Sequence, residues 1–226
     1  MNFLSLFKLF KSISLWKTFR FNFHYFSFRT ACRLPVFIYK RTVLQTLKGA
    51  IIIDAPLKTG LFKFGPCVSG IIDSQYCRTI WESNGTLIVK GKAVIGRGCR
   101  LSIGLDSVLS LGTNFFITGR TEIICHKGVS FGNNCLLSWD IHIMDTDHHL
   151  IFDENKKILN ASSPILIGDN VWIGSQSTIL KGVSIAANNV IAAGSLITSK
   201  LTNSSCVFGG RGRNVDIIRS GITWQR

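Results

Sequence analysis

Residues 164–200 read PILIGDNVWIGSQSTILKGVSIAANNVIAAGSLITSK. Ile167, Ile173, Ile179, Ile185, Ile191 and Ile197 recur on a strict six-residue beat. Two places before each stands a second apolar or small residue: Ile165, Val171, Ser177, Val183, Asn189 and Ser195. A helix does not repeat every six residues, and a single strand does not run unbroken for this length. A six-residue beat with Gly, Asn or Ser at the turns describes a chain that makes a short strand, turns sharply and makes another. Three such steps close a triangular coil, and successive coils stack at about 4.8 Å. The pattern predicts an all-β solenoid, a parallel β-helix of hexapeptide repeats.

Working outward, the beat weakens but persists. Val89, Ile95 and Leu101 keep it; the phase slips near Leu101–Ile103 and Leu109–Leu111; Phe131, Leu137 and Ile143 restore it. Short apolar runs broken by glycine begin near Lys48, so the solenoid is expected over 49–208, with a C-terminal tail at 209–226. Inward positions should be compact and branched, because the tube is narrow. The one long lapse is MDTDHHLIFDENKKILNASSP, which places an inserted loop near residues 144–163. Repeat folds carry such insertions on one face, often the functional one.

Residues 1–48 read differently, as a basic aromatic extension of mixed helix and strand. Residues 1–53 hold nine Lys and Arg and no acid, out of a net charge of +14. Residues 3–19 suit an amphipathic helix, the alternation of Phe21, Phe23 and Tyr25 suits a strand, and Pro35 marks a bend. The segment either caps the solenoid and its oligomer or meets an anionic membrane surface through residues 1–20. No motif supports nucleic-acid binding.

Seven cysteines without CxxC spacing argue against a disulfide framework or structural zinc and for a reducing, cytoplasmic setting. No apolar run is long enough to span a bilayer. Lys8 and Lys11 interrupt the first apolar stretch, so a signal peptide is not expected.

The loop holds His148 and His149, in Asp145-Thr-Asp-His-His. A histidine near a carboxylate suits general-base chemistry, because the carboxylate fixes the tautomer and stabilises the imidazolium. Spacing does not choose between Asp145 and Asp147; a solvated histidine pair is the plainer reading of an unplaced loop, and the interruption of a regular solenoid turns the reading toward function. His126 and His142 would be needed for a zinc site; no metal is expected. No G-x-S-x-G signals a serine nucleophile.

The stretch IGDNVWIGSQSTILKGVSIAANNVIAAGSLITSK resembles the C-terminal coils of hexapeptide-repeat acyltransferases with a left-handed β-helix. NNCLLSWDIHIMDTDHHLI followed by PILIGDNVWIG resembles their sugar and polysaccharide O-acetyltransferase branch. The resemblance implies acetyl transfer from acetyl-CoA to a hydroxyl of a sugar or glycan, with a loop histidine as base and Asp147 or Asp145 orienting it. The family's spacing favours His149; an ungapped count along galactoside acetyltransferases reaches His148. The family's CoA positions fall on Ser175, Ala193, Thr198 and Lys200, and Trp172, at its V-W-I-G step, would line the CoA cleft or serve packing. Its glycine–asparagine–proline–alanine–lysine turn is replaced by Gly210-Arg211-Gly212-Arg213-Asn214, where Arg211 and Arg213 would add phosphate contacts. A homotrimer with sites between subunits is also implied. The alternatives are N-acetylation of an amino sugar, a non-catalytic membrane-peripheral scaffold and a zinc hydratase.

Overall fold

The computed structural model describes residues 12–225. Its chain winds as a three-faced parallel β-helix. The first face stacks β1 (Val36–Ile38), β4 (Phe62–Phe64), β7 (Ala93–Arg97), β10 (Phe115–Gly119), β13 (Leu136–Trp139), β16 (Trp172–Ile173) and β19 (Val190–Ile191). The second stacks β2 (Thr42–Leu47), β5 (Thr79–Ser83), β8 (Arg100–Ile103), β11 (Glu122–Cys125), β14 (His142–Met144), β17 (Thr178–Leu180) and β20 (Leu196–Ile197). The third stacks β3 (Ala50–Ile53), β6 (Thr86–Val89), β9 (Val108–Leu111), β12 (Gly128–Phe131), β15 (Ile165–Ile167) and β18 (Ser184–Ile185). Strand β21 (Cys206–Gly212) continues the first face beside Val190 and the second beside Leu196, which joins the two faces into one sheet. Strand β22 (Asn214–Ser220) folds back antiparallel on β21.

The six-residue beat marks the inside of the tube. All six isoleucines from Ile167 to Ile197 are buried, and so are all six residues two places before them. Inward polar residues are satisfied there: Asn189 gives its amide to the carbonyls of Ala186 and Asn203 and accepts the Cys206 N–H. An unpaired polar group in this core would be costly. The early phase slips have a simple cause. Ala93 pairs with Phe115, a step of 22 residues, and Phe116 with Leu136, a step of 20; Trp172 to Val190 takes 18. The longer early corners shift the beat without changing the inward register. From Leu136 to Trp172 the step is 36, two coils' worth of chain in one coil. That excess is the loop 145–164.

The N-terminal region corrects two expectations. Phe21, Phe23 and Tyr25 lie in a helix, α1 (Leu15–Tyr25), followed by the short α2 (Phe28–Ala31). The face of α1 that packs inward is Thr18, Phe21, Asn22 and Tyr25, a helical spacing half carried by polar residues. Those polar residues do a strand's work. Asn22 donates to the Val36 carbonyl at 2.7 Å and accepts the Val36 N–H at 3.1 Å. The Thr18 hydroxyl accepts the Ile38 N–H at 3.0 Å. Lys17 donates to the Thr42 carbonyl, and Tyr25 to that of Lys48. Helix α1 thereby covers the open edge that the first coil would otherwise leave unpaired. Strands β1 and β2 already belong to the solenoid's sheets, so the first coil starts at Val36, ahead of the boundary expected at 49. Residues 1–11, where the amphipathic reading began, lie outside the described residues.

Candidate functional site

Each coil has three corners, and the corner after the second face carries the histidines. In successive coils it holds His126-Lys127, the loop 145–164, and Lys181-Gly182. Both ends of the loop are fixed by neighbouring coils. Asp145 is fully buried, and its carboxylate accepts three backbone N–H groups of the preceding coil: His126 at 2.7 Å, Lys127 at 2.8 Å and Gly128 at 2.6 Å. This is a small anion nest built from a tight corner. Asp147 is bound from the following coil, by Lys181 Nζ at 2.5 Å. The same ammonium donates to the Asn160 carbonyl at 2.6 Å.

Asn160 then ties the two loop limbs together. Its amide nitrogen donates to Asp147 Oδ2 and to the His149 carbonyl, both at 2.8 Å, and its oxygen accepts the Ile151 N–H at 2.6 Å. Ser162 bonds the Thr146 hydroxyl, which itself accepts the His148 N–H. The outer part closes as a hairpin: Phe152 bridges Ile158, and Asp153 organises the turn through the N–H groups of Asn155 and Lys157. The loop is a built structure.

His148 takes a left-handed backbone conformation, φ 59°. That geometry is rare for a side chain with a Cβ, and here the Thr146 and Asp147 turns hold it. The His148 ring meets the His126 ring edge to face, with centroids 4.7 Å apart. His149 follows with an exposed side chain, its N–H given to the Asp147 carbonyl at 2.7 Å. Among the described residues neither Asp145 nor Asp147 hydrogen-bonds an imidazole of the pair. Both carboxylates spend their oxygens on backbone amides, Lys181 and Asn160. The Lys181 hydrogen bond, followed by that of Asn160, holds the Asp147 carboxyl below its ordinary range.

The seven residues assigned to CoA by resemblance fall at several places. Ser175 and Ala193 occupy the corner after the first face in adjacent coils, where the Gly194 N–H meets the Ser175 carbonyl at 2.8 Å. Thr198 and Lys200 follow β20, at the histidine corner of the last coil, and are exposed. Arg211 and Arg213 are exposed around the β21–β22 turn. The Trp172 indole donates to Ser138 at 3.1 Å and packs on Trp224 at 6.0 Å, so one edge of it is committed to the fold. Within a single chain the Ser175 corner and the histidine corner are separated by the width of the second face. Two cavities of about 560 and 480 Å³ lie elsewhere, the first around Arg78, Arg100 and Arg120, the second around Lys58, Lys63, Lys90 and Lys92. Neither includes His148 or His149. Sequence reading gave no hint of Lys181 and Asn160 as the loop's fixings; only the loop's placement between coils brings them to Asp147.

Five large apolar side chains of the loop, Leu150, Ile151, Phe152, Ile158 and Leu159, are each 44–60% exposed. A loop so apolar at its tip is shaped to lie against another surface.

Comparison with known proteins points the same way. Residues 164–199 match the family model for the bacterial transferase hexapeptide (six repeats). The galactoside O-acetyltransferase of Escherichia coli (strain K12) is 36% identical over 124 residues, which are 53% of this chain and 61% of that one. The polysialic acid O-acetyltransferase of Escherichia coli O1:K1 / APEC is 30% identical over 140 residues, 61% of this chain and 42% of that one. The chain thus spans less than two thirds of these relatives. The crystal structure of the polySia-specific acetyltransferase NeuO superposes with a TM-score of 0.51 at 24% identity, covering 82% of this chain and 72% of that one, a likeness of fold.

Proposed function

We propose, from the membership of this chain in the hexapeptide-repeat, left-handed β-helix acyltransferase superfamily, that it transfers an acetyl group from acetyl-CoA to a hydroxyl of a sugar or glycan. The observation that carries the proposal is the loop 145–164. It interrupts an otherwise regular solenoid, is fastened at both ends by adjacent coils, and presents an exposed His149 beside His148 and His126. In this reading His149 is the general base. Its neutral imidazole takes the proton of the acceptor hydroxyl as that oxygen attacks the thioester carbonyl. The new C–O bond forms, the C–S bond breaks, and the proton passes to the departing CoA thiolate. Charge that develops on the carbonyl oxygen calls for a backbone N–H donor. His148, turned through the left-handed conformation and seated on His126, sets the direction in which His149 leaves the loop.

The donor CoA would lie between the small-residue corner of Ser175 and Ala193 in one copy and the histidine corner of the next, where Thr198 and Lys200 stand, with Arg211 and Arg213 toward its phosphates and Trp172 at the rim. Because the Ser175 corner and His149 lie on opposite sides of the second face, the complete site is assigned to the cleft between two subunits of a homotrimer. The exposed apolar tip of the loop supports this, since it gives the loop a surface to lie against. Thiol release from acetyl-CoA with a panel of sugars and glycans tests the activity. His149→Ala should lower the rate by about 10²–10⁴-fold, and His148→Ala by less. Wild-type rates in both variants would remove the mechanism. Phe152→Ser with Leu159→Ser should shift the sedimentation mass toward the monomer.

A further inference from the structure

The outward face of α1 is a second exposed apolar surface, distinct from the loop tip in being aromatic and set in a basic segment. Its inward face is spent on the edge of the first coil. Outward stand Leu15, Trp16, Phe19 and Phe23, which are 60%, 75%, 46% and 43% exposed. Phe28 of α2 extends the patch at 75% exposure. The rings touch one another: Phe19 to Phe23 at 6.3 Å, Phe23 to Phe28 at 5.8 Å. They form one continuous aromatic surface, larger than isolated exposed residues would make. The same segment carries Arg20, Arg29, Arg33 and Lys40, all exposed and none in an ion pair among the described residues, while Arg41 acts on Asp73. No acid occurs before Asp54.

We infer that this aromatic face of α1 and α2 is a docking surface for an anionic lipid bilayer, with Trp16, Phe19 and Phe28 entering the headgroup region and the arginines meeting lipid phosphates. The chemistry selects this occupant. Aromatic side chains favour the boundary between headgroups and acyl chains, and a group of exposed cations in a segment without an acid, Arg20, Arg29, Arg33 and Lys40, favours an anionic surface. A helix with one apolar face in such a setting lies in the plane of the interface. Position agrees. Helix α1 sits over the open end of the solenoid, across β1 and β2. Docking there leaves the three side faces free, and the loop 145–164 lies four coils further on, about 19 Å along the axis. In a parallel trimer all three copies of the face would point to the same end, so three weak contacts would act together. The inference stands apart from the acetyltransferase reading, because it uses none of those residues.

Co-sedimentation of the full chain with vesicles tests it, using phosphatidylcholine alone and phosphatidylcholine with a phosphatidylglycerol fraction. The wild type should bind the anionic vesicles and bind the neutral ones weakly. Trp16→Ser with Phe19→Ser and Phe28→Ser should reduce partitioning roughly tenfold or more, with an unchanged melting curve. Arg20→Gln with Arg29→Gln and Arg33→Gln should reduce it on anionic vesicles only, and salt should do the same to the wild type. Brominated lipid should quench wild-type fluorescence more than that of Trp16→Phe. Failure of the wild type to sediment, or equal binding by the aromatic variant, overturns the inference. So does a change of oligomeric mass in the aromatic variant with lipid binding intact, which would assign the face to contacts between copies. Acetyl transfer measured on the same samples reports separately on the enzyme.

Discussion

Replacing Asp145 by Asn separates two roles that the sequence alone leaves together. The side chain keeps its size and loses its charge, and one of its two acceptors becomes a donor. In the native protein the carboxylate takes the N–H groups of His126, Lys127 and Gly128 at 2.6–2.8 Å in a site closed to water. The best the asparagine can do is turn its oxygen toward Lys127 and Gly128. Its NH₂ then faces the His126 N–H, donor against donor. One buried donor is left unsatisfied, which costs about 1–3 kcal/mol, and the two remaining bonds lose their charge assistance at roughly 0.5–1 kcal/mol each. The expected loss is about 2–5 kcal/mol. For a chain of this size each kcal/mol lowers the melting temperature by about 2–4 °C. Urea unfolding and a melting curve measure it, with Asp145→Ala as a more severe companion. A change below about 0.5 kcal/mol would refute the nest as the loop's anchor. The pH–rate profile supplies the other half. If Asp145 holds only backbone, the apparent pKa of the base limb stays put in Asp145→Asn even where the rate falls. A shifted limb with native stability would instead make Asp145 the partner of an imidazole.

Three further outcomes follow from the same structure. Ile173→Ala removes a fully buried side chain from the stack between Leu137 and Ile191, and should cost about 2–5 kcal/mol in urea. Burial pushes the thiols of Cys99 and Cys125 up to about 12 and that of Cys135 to about 11; iodoacetamide near neutral pH should therefore modify the exposed Cys32 and Cys67 first and reach Cys99, Cys125 and Cys135 only on unfolding, as read by mass spectrometry. The Asp147 carboxyl is held low by Lys181, so its contribution to loop order is present above the ordinary carboxyl range and is lost as pH falls through the lowered value. Hydrogen exchange over 147–160 should rise in acid, and Asp147→Asn or Lys181→Met should show the same rise at neutral pH; protection unchanged in both would remove the ion pair from the account.

What was legible in the sequence is what the solenoid repeats. The inner isoleucines declare themselves because every coil poses the same packing problem, and a residue such as Asn189 can stand among them because its three hydrogen bonds are made in its own corner and in the corner stacked on it one coil later. The loop was legible as a breach of that repetition. The N-terminal helix was not. Its inward face uses Thr18 and Asn22 to imitate a strand's hydrogen bonds, so the apolar pattern that remains, Phe21-x-Phe23-x-Tyr25, alternates by two and reads as a strand. The roles of Asp145 and Asp147 were illegible for a related reason. Their partners are not beside them in sequence but one coil before and one coil after, and spacing within the loop carries no trace of either.

The proposed chemistry would gain from that arrangement. A loop of this length on an ordinary surface would be free to move, and a histidine on it would lose rate to disorder, since a misplacement of about 1 Å can cost about 10²-fold. Here the coil before supplies three amides to the loop's first residue, and the coil after supplies an ammonium that holds Asp147 and Asn160 together. Two rigid rungs thus fix the ends, and Asn160 shortens the free span to the apolar tip. The tip is left to find its contact outside the chain. On the proposed reading the regular stretch from Pro164 to Lys200 does not carry the base; it carries Lys181, one of the fastenings that would position it.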